Sequence, residues 1–258
     1  MAVKAPLPAP APAYSWTGFY VGGNAGYGWK GDPAVGFAPN DTLTLLSTCG
    51  VGNCPPSALF GIGGALGGVQ AGYNLQVNPN WLVGFETDFD WSKVDGTGMS
   101  DILFSGVPGN LQASENVKWF GTVRARAGYL VTNKLLLYGT GGFAYGRVEE
   151  SGALNFNATG VSAIGHGFGF NCGAGLGTNC FVGNSTRTVT GYAYGAGAEY
   201  ALWNNVSLKA EYLYVNLGRG NTMNIVAQNG NGAIPASFTA TYSGVAFQLV
   251  RGGLNWKF

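Results

Sequence analysis

Three observations predict an all-β chain folded as an eight-stranded antiparallel up-and-down transmembrane β-barrel with four long extracellular loops. Charged residues make up only 10% of the 258 residues, well below the roughly 25% of an ordinary soluble domain. No run reaches the ~18 uninterrupted apolar residues that a membrane helix requires. Apolar residues alternate with polar ones instead, and in lipid only a closed barrel lets such strands satisfy every backbone hydrogen bond.

A Pro/Ala-rich stretch opens the chain. Residues 1–15 are expected to form an extended periplasmic leader and residues 16–258 the barrel, because Pro cannot donate the hydrogen bonds of a strand ladder. The stretch lacks the roughly 7 to 15 apolar residues at the centre of a secretion signal. A protein of the outer membrane must be exported, so we expect that a signal peptide was removed or replaced before this numbering begins.

Eight segments show the period-two alternation or the Gly/aromatic composition of barrel strands. Each is long enough for the ~9 to 11 residues of a tilted transmembrane strand. The predicted strands are residues 17–30, 66–77, 81–93, 116–131, 134–149, 188–202, 205–217 and 243–258.

The connections between these segments alternate between short and long. Residues 78–80, 132–133 and 203–204 are predicted to form tight turns, whereas residues 31–65, 94–115, 150–187 and 218–242 form long polar or Gly-rich loops. Short turns at one end and long loops at the other are typical of an outer-membrane barrel. We expect the turns and both termini to face the periplasm of a bacterium and the loops to lie outside the cell. A soluble β-sandwich has no reason to segregate its loops in this way.

One face of several strands carries charged residues and is predicted to line the lumen. A charge that faces lipid near the midplane costs ~2 to 4 kcal/mol, so these side chains should point inward. The predicted lumen network contains five acids and five bases: Glu86, Asp88, Asp90, Glu199, Glu211, Lys118, Arg124, Arg126, Lys209 and Arg251. Because a barrel of eight strands is only wide enough to be filled by side chains, paired charges favour a salt-bridge plug. A gated path for ions or protons is the alternative.

Aromatic residues near the strand ends are expected to form two girdles at the membrane interfaces. They are Trp16, Phe19, Tyr27, Trp29, Trp81, Trp91, Trp119, Tyr200, Trp203 and Trp256.

The four cysteines form two close pairs, Cys49 with Cys54 and Cys172 with Cys180. A four-thiolate zinc site needs spacings near C-x2-C, and these pairs are spaced more widely. We therefore expect two local loop disulfides in an oxidising compartment and no metal site.

Residue types needed for catalysis are sparse. The single histidine, His166, lies near Ser162 but has no carboxylate in its neighbourhood. The sequence has no G-x-S-x-G elbow and no H-E-x-x-H helix, and no helix follows the Gly-rich residues 61–67. We expect no enzymatic activity and no cofactor. Since the net charge is +1 and the bases are scattered, we also expect no nucleic-acid binding.

At this point the residues resemble a known family. Residues 16–28, WTGFYVGGNAGYG, are similar to the first strand of the alphaproteobacterial outer-membrane surface-antigen and porin family, which is related to the opacity proteins. Residues 123–129 and 137–146 resemble its central hairpin, and residues 250–258 resemble its terminal strand. The resemblance implies roles in envelope integrity, surface antigenicity and, in some members, pore formation. It also implies that the terminal strand, with Trp256 and Phe258, is read by the barrel-assembly machinery.

The expected role is therefore that of an integral outer-membrane barrel with a structural and surface-antigen function. Its expected partners are outer-membrane lipid, lipopolysaccharide and the barrel-assembly machinery. The alternatives are a narrow porin-like channel for ions or small solutes, and an adhesin or assembly module whose disulfide-stapled loops bind a protein partner or self-associate. Apolar side chains in the loops would either form such an interface or pack over the barrel mouth, and we favour the second. They include Phe156, Ile164, Phe168, Phe170 and Phe181.

Overall fold

The structure is a computed structural model that describes residues 14–31, 34–40, 58–104, 107–156, 179–227 and 237–258. Every regular element in these ranges is a β-strand: β1 (Gly18–Lys30), β2 (Ala34–Pro39), β3 (Ala58–Leu59), β4 (Ile62–Gln76), β5 (Trp81–Phe104), β6 (Val107–Thr132), β7 (Leu135–Phe156), β8 (Asn179–Ala201), β9 (Val206–Asn216), β10 (Thr222–Ala227), β11 (Ser237–Tyr242) and β12 (Ala246–Lys257). Within the described ranges, no helix is long and apolar enough to cross a membrane.

Eight of these strands form a closed antiparallel ring in the order β1, β4, β5, β6, β7, β8, β9, β12 and back to β1. The ring closes where the first strand meets the last, with Tyr20 paired to Lys257 and Gly26 paired to Arg251. Strands β8 and β9 also pair within the ring, from Tyr192 opposite Asn216 to Ala201 opposite Ser207. The predicted fold class, an eight-stranded antiparallel barrel, is confirmed.

Three short turns and both ends of the ring lie at one mouth of the barrel, which we call the turn end. The turns comprise residues 77–80, 133–134 and 202–205. Local polar contacts fix them: the Asn78 Oδ1 accepts hydrogen bonds from the backbone N–H groups of Asn80 and Trp81, and the Thr132 hydroxyl accepts them from Lys134 and Leu135. The opposite mouth is called the loop end.

The outer face of the ring carries an apolar belt with aromatic residues at both edges. Along β5, Trp81 and Trp91 are 52% and 60% exposed, and both point outward, whereas the intervening Glu86 is 2% exposed and points inward. The two tryptophans mark a span that fits the ~9 to 11 residues of a tilted transmembrane strand. Trp81 packs on Tyr129 at the turn side of the belt, with ring centroids 5.4 Å apart.

Four strands extend well past the belt at the loop end. Strands β5 to β8 contain 24, 26, 22 and 23 residues, at least twice the ~9 to 11 residues that the membrane requires. The short strands β10, β11, β2 and β3 continue the sheet from the edge of β8. Much of the segments predicted as loops at residues 94–115, 150–187 and 218–242 is therefore strand. The alternation persists there with small and polar residues, which have a weak strand signal.

A β-bulge in β6 overturns the prediction that Lys118 points into the lumen. Pairing shifts register between Val117 and Trp119 on the β7 side and between Trp91 and Val94 on the β5 side. Since a bulge inserts an extra residue, the residues beyond it change faces. Val117, which lies opposite Lys118 in the alternation, is 1% exposed and points inward. Lys118 turns outside, where its side chain is 42% exposed and pairs with Glu149.

Inward-facing glycines leave room for long side chains in the lumen. A Cβ on Gly26 would overlap the Val250 carbonyl oxygen and lie 2.7 Å from the Arg251 Cβ. A Cβ on Gly142 would overlap the Val123 carbonyl oxygen and lie 2.7 Å from the Arg124 Cα. These glycines therefore permit the close strand approach beside the two arginines that dominate the lumen.

Candidate functional site in the barrel lumen

The lumen is filled by successive layers of side chains along the barrel axis. At the turn end lies an apolar layer of Trp16, Leu82, Leu130, Leu136, Tyr138 and Ala201. Trp16, predicted as a girdle residue, is only 1% exposed, and its indole N–H donates to the Asn133 carbonyl oxygen at 3.2 Å. Tyr14 packs edge-on against it, with centroids 4.8 Å apart. The segment before β1 thus folds into the barrel mouth and covers it.

Above this layer lies the charge layer, which contains nine of the ten residues that the sequence predicts for the lumen. Inward positions alternate along each strand. They place three acids on β5, two bases on β6, one acid on β8, one base and one acid on β9, and one base on β12. Each residue is at most 3% exposed: Glu86, Asp88, Asp90, Arg124, Arg126, Glu199, Lys209, Glu211 and Arg251. Among the described residues, these make five carboxylates against four bases. The predicted balance of five to five is therefore wrong, because Lys118 lies outside.

Arg124 connects three carboxylates on two strands. Its Nη2 lies 2.8 Å from the Glu86 Oε1 and 2.8 Å from the Asp88 Oδ2, and its Nη1 lies 3.1 Å from the Glu211 Oε1. Its Nε donates to the Thr122 hydroxyl at 2.8 Å. A guanidinium presents five donors in a rigid plane, so a single arginine can bind several carboxylates at once.

Arg251 makes an equivalent set of contacts from the last strand. Its Nη1 lies 2.8 Å from the Asp90 Oδ2, and its Nη2 lies 2.7 Å from both the Asp88 Oδ2 and the Glu211 Oε2. The guanidinium therefore joins β12 to β5 on the far side of the lumen and to its neighbour β9. Charge-assisted hydrogen bonds of this length are the strong ones in proteins.

Glu86 receives hydrogen bonds from several directions. The Lys209 Nζ lies 2.8 Å and 3.0 Å from its two oxygens, and the Tyr20 hydroxyl donates to it at 2.7 Å. Tyr20 also accepts a hydrogen bond from the Arg126 Nη1 at 2.9 Å. Every oxygen of this buried carboxylate is thus satisfied, as burial of a charge requires.

Glu199 links the charge layer to the turn end. It pairs with the Arg126 Nη2 at 2.7 Å and accepts hydrogen bonds from Ser207 and from the Asn255 amide. The Arg126 guanidinium also lies 4.0 Å from the Tyr138 ring centroid, a cation–π contact with the apolar turn-end layer.

Neutral polar side chains, which were not among the residues predicted for the lumen, complete the charge layer. The Gln70 amide donates to the Asn255 Oδ1 at 2.6 Å, and the Asn24 amide donates to the Gln70 Oε1 at 3.4 Å. They occupy inward positions of the same alternation, so the register of β1, β4 and β12 would have identified them. In this layer the Oδ1 atoms of Asp88 and Asp90 have no hydrogen-bond partner among the described residues.

A second apolar layer separates the charge layer from the loop end. Phe120 and Phe247 meet edge to face with centroids 5.3 Å apart, and Val94, Leu213 and Leu249 are 0% exposed around them. A water path along the lumen would have to cross this layer as well as the one at the turn end.

A further pair of salt bridges lies beyond the second apolar layer, and three of its four residues, Glu115, Glu150 and Arg187, were predicted to lie in loops. The Lys30 Nζ lies 3.0 Å from the Glu115 Oε1, and the Arg187 Nη2 lies 2.9 Å from the Glu150 Oε1. Burial raises the pKa of Glu115 and outweighs the attraction of Lys30, which lowers it. Glu115 and Glu150 are directly paired across β6 and β7, so two cations are needed to keep the carboxylates together.

Apolar residues pack above these salt bridges inside the loop-end extension. Phe181, one of the apolar residues assigned to a loop, is 0% exposed and meets Phe238 with centroids 5.3 Å apart. Phe181 therefore packs in the interior of the extension and is not part of an exposed surface.

Several other predicted residues lie at the surface or outside the described ranges. Trp256 and Phe258, the predicted assembly signal, are 53% and 73% exposed at the turn end. Cys49, Cys54, Cys172 and His166 lie outside the described residues, as does the environment of the Cys180 side chain. The two disulfides therefore stay predictions.

Comparison with known proteins gives a consistent set of similarities. A family model described as "Outer membrane protein beta-barrel domain" matches residues 1–258. The chain is 40% identical over 257 residues to the 31 kDa outer-membrane immunogenic protein of Brucella melitensis, with 99% of this chain and 89% of that protein covered. It is 28% identical over 205 residues to the 22 kDa outer membrane protein of Rhizobium leguminosarum, with 80% and 66% covered. The solved structure of OprG from Pseudomonas aeruginosa aligns with a TM-score of 0.46 at 12% identity, covering 94% of this chain and 96% of that one.

Proposed function

Because the chain belongs to the family of the outer membrane protein beta-barrel domain, we propose that it is a closed, non-conducting barrel of the outer membrane with a structural and surface-antigen role. The observation that carries this proposal is the filling of the lumen. Two apolar layers enclose a layer of paired charges, and each large side chain in the charge layer is at most 3% exposed. A diffusion pore needs a continuous wet path, which such a sequence of layers opposes.

The proposed role is non-catalytic and requires no cofactor. The buried arginines and carboxylates are consumed in pairing with one another, so none of them is poised to attack a substrate.

In the proposed orientation, the turn end faces the periplasm and the loop end faces the outside. Bacterial barrels of this class have short periplasmic turns and longer extracellular loops. The strands that continue past the belt at the loop end would then form a rigid stalk, which presents the connecting segments to the exterior. The relatives named as immunogenic proteins support a surface role.

Orientation can be tested with cysteines introduced at Met99 and Asn204, which are exposed on the loop side and in a turn. A membrane-impermeant maleimide applied to intact cells is expected to label Met99→Cys and not Asn204→Cys. The parent strain gives the background from native cysteines. Labelling of Asn204→Cys alone would invert the proposed orientation.

The closed lumen can be tested by single-channel recording in planar bilayers. The parent is expected to give no conductance steps, with insertion verified by heat-modifiable migration of protein recovered from the same vesicles. Steps in the parent that vanish when Arg124 or Glu211 is neutralised would contradict the proposal and establish the narrow channel instead.

A second candidate function, an adhesin or assembly module, is favoured by the loop-end extension, which holds β10, β11, β2 and β3 in one sheet with β8. Deletion of residues 157–178 is the test. Loss of binding to host cells or to a second copy, with heat-modifiable migration unchanged, would support this function, whereas unchanged binding would exclude that segment.

The terminal strand is proposed to be the region that the barrel-assembly machinery reads, through Trp256 and Phe258. Both side chains are exposed on the outer face at the turn end, where a partner in the periplasm would reach them. Deletion of Phe258 is expected to reduce the folded fraction in cells but not in refolding from urea.

A further inference from the structure

Charged residues on the outer wall near the loop end are concentrated on three adjacent strands. Within the described ranges, Lys93 on β5, Lys118 on β6 and Arg147 on β7 are exposed immediately beyond the apolar belt. The next outward positions on β5 and β7 are acidic, Asp95 and Glu149. A row of three bases therefore lies next to the belt, and a row of acids lies farther from it. We call the first the basic row.

The three bases lie at, or one or two residues beyond, one line of paired residues across the three strands. Trp91 pairs with Trp119, which in turn pairs with Arg147. Lys93 and Lys118 lie in the irregular stretch next to these residues, between Trp91 and Val94 and between Val117 and Trp119. Bulges are enriched where they redirect a side chain for a purpose, and this one moves Lys118 out of the lumen into the row.

Three of the five charged residues in this region make no ion pair with another described residue. Lys118 contacts Glu149 at 3.0 Å, and both side chains are about two-fifths exposed, at 42% and 41%. No ion pair within the described residues involves Lys93, Arg147 or Asp95. Since an exposed pair contributes at most ~1 kcal/mol, Lys118 is also available to a stronger anion.

An aromatic cluster lies directly below the basic row. The Phe89 ring packs on Trp91 and Trp119, with centroids 5.1 Å and 5.4 Å apart. Trp119 continues to Tyr145 at 6.2 Å, and Tyr145 to Phe143 at 6.1 Å. Trp91 is 60% and Phe143 51% exposed, so wide ring faces are open at the level of the membrane interface.

An apolar groove of about 780 Å³ on the outer wall adjoins this cluster and runs toward the turn end. Phe89 and Tyr145 line its upper part, and Val69, Ala71 and Leu254 line the rest. The accessible surface of the groove is mostly apolar, and Val69 and Leu254 are about half exposed on the outer wall, so an acyl chain fits the groove.

We propose that the basic row, the aromatic cluster and the groove together form a binding site for a phosphorylated glycolipid of the membrane leaflet at the loop end. The three bases bind the phosphate groups, in the way that Lys and Arg bind phosphate elsewhere. The aromatic faces pack against the apolar faces of the sugar rings, and the acyl chains lie in the groove. This vertical order matches such a lipid, whose phosphates lie at the headgroup and whose chains lie in the hydrocarbon.

The location of the charges distinguishes a bound glycolipid from a general attraction to an anionic surface. Such an attraction needs only basic residues around the rim, whereas here three exposed bases lie on adjacent strands that share one aromatic cluster. A site for free phosphate would not need the cluster or the groove. The proposal rests on the proposed placement in the outer membrane but not on the pore being closed.

The test uses the full chain refolded into phosphatidylcholine nanodiscs, in which both leaflets are accessible. Binding of fluorescent bisphosphorylated lipid A is compared among the parent, Lys93→Ala/Lys118→Ala/Arg147→Ala, and a control, Lys134→Ala/Arg219→Ala, which removes exposed bases elsewhere. The triple variant is expected to lose on the order of 100-fold in affinity, and the control less than about twofold. Heat-modifiable migration verifies folding of each protein.

A gain-of-binding variant protects the test against misfolding. Glu149→Gln removes the acid that competes for Lys118, so it is expected to tighten binding severalfold. Dephosphorylated lipid A is expected to bind weakly to every variant. Equal binding by the parent and the triple variant, equal competition by phosphatidylglycerol, or displacement by millimolar inorganic phosphate would each overturn the proposal. A conducting parent in the planar-bilayer experiment would overturn the proposed function and leave this site untouched.

Discussion

Arg124 and Lys118 lie on the same strand, and both were predicted to point into the lumen. The structure places Arg124 in the lumen and Lys118 on the outer wall. The Arg124 side chain is fully buried among three carboxylates, whereas the Lys118 side chain is 42% exposed beside one. Replacement of each by Met removes one positive charge and keeps an unbranched apolar chain. The two variants therefore compare a buried base with an exposed one at nearly constant shape.

The expected magnitudes differ by several kcal/mol. Arg124→Met leaves five buried carboxylates with three bases and removes all three of its salt bridges. Removal of one partner from a buried ion pair costs about 3 to 5 kcal/mol, since it leaves an uncompensated charge. Lys118→Met breaks a half-exposed pair, for which the cost is ~0 to 1 kcal/mol. Whole domains are stable by only about 5 to 15 kcal/mol, so the first loss is a large part of the total.

The assay is urea unfolding of each variant in lipid vesicles, followed by tryptophan fluorescence and by heat-modifiable migration. The double variant Arg124→Met/Glu211→Gln restores an excess of one carboxylate, and it is expected to be less destabilised than the sum of its two single variants. Equal losses of unfolding free energy for Arg124→Met and Lys118→Met would refute the assignment of opposite environments. Strict additivity in the double variant would refute the coupling between Arg124 and Glu211.

Three other predictions follow from the packing. Trp16→Ala should lower the unfolding free energy by about 3 to 5 kcal/mol, because it empties the turn-end layer, and an unchanged urea midpoint would show that this segment does not close the mouth. Gly26→Ala should prevent closure of the ring, because a Cβ there overlaps the Val250 carbonyl oxygen. The control is Gly23→Ala, whose Cβ meets its nearest atom at 3.8 Å and which should fold like the parent. Equal folded yields of the two variants would contradict the steric explanation. Burial raises the pKa of Glu115 above its ordinary value of 4.5, so the folded state holds this proton more tightly than the unfolded state, and stability from this site is present at low pH and lost as pH rises above about 4.5. The melting temperature of the parent relative to Glu115→Gln should therefore fall between pH 4.5 and pH 7, and a difference that is constant or rises with pH would be inconsistent with the raised pKa.

Much of the barrel follows from period-two alternation, because each strand buries one face against the lumen and exposes the other to lipid. Glu86, Arg124 and Arg251 were identifiable in this way. A charged side chain in an otherwise apolar alternating strand must point into the lumen, because facing lipid destabilises the barrel. Lys118 was not, because a bulge depends on the register of two neighbouring strands and leaves little trace in the sequence of its own strand. The adjacent Trp119 and Phe120, both aromatic, were the only local sign that the alternation changes there.

The loop-end extension was hidden for a different reason. Its outward positions are polar and its inward positions are often small, as at Ala113 and Gly152, so it lacks the contrast that identifies a strand in lipid. Its stability depends on pairing with distant segments, as when β10 joins β8 and β11 joins β2. Such non-local pairing is a property of the folded sheet and not of any window of sequence.

The position of Arg251 on the final strand has a consequence for the order of assembly. Asp88, Asp90 and Glu211 belong to strands made earlier, and each contacts the Arg251 guanidinium. Until the last strand docks, these carboxylates lack that counter-charge and must stay hydrated, which keeps a partly inserted sheet open. Arrival of β12 joins the seam to β1 and neutralises the interior in the same event. Closure of the ring and burial of these three carboxylates against Arg251 therefore occur together.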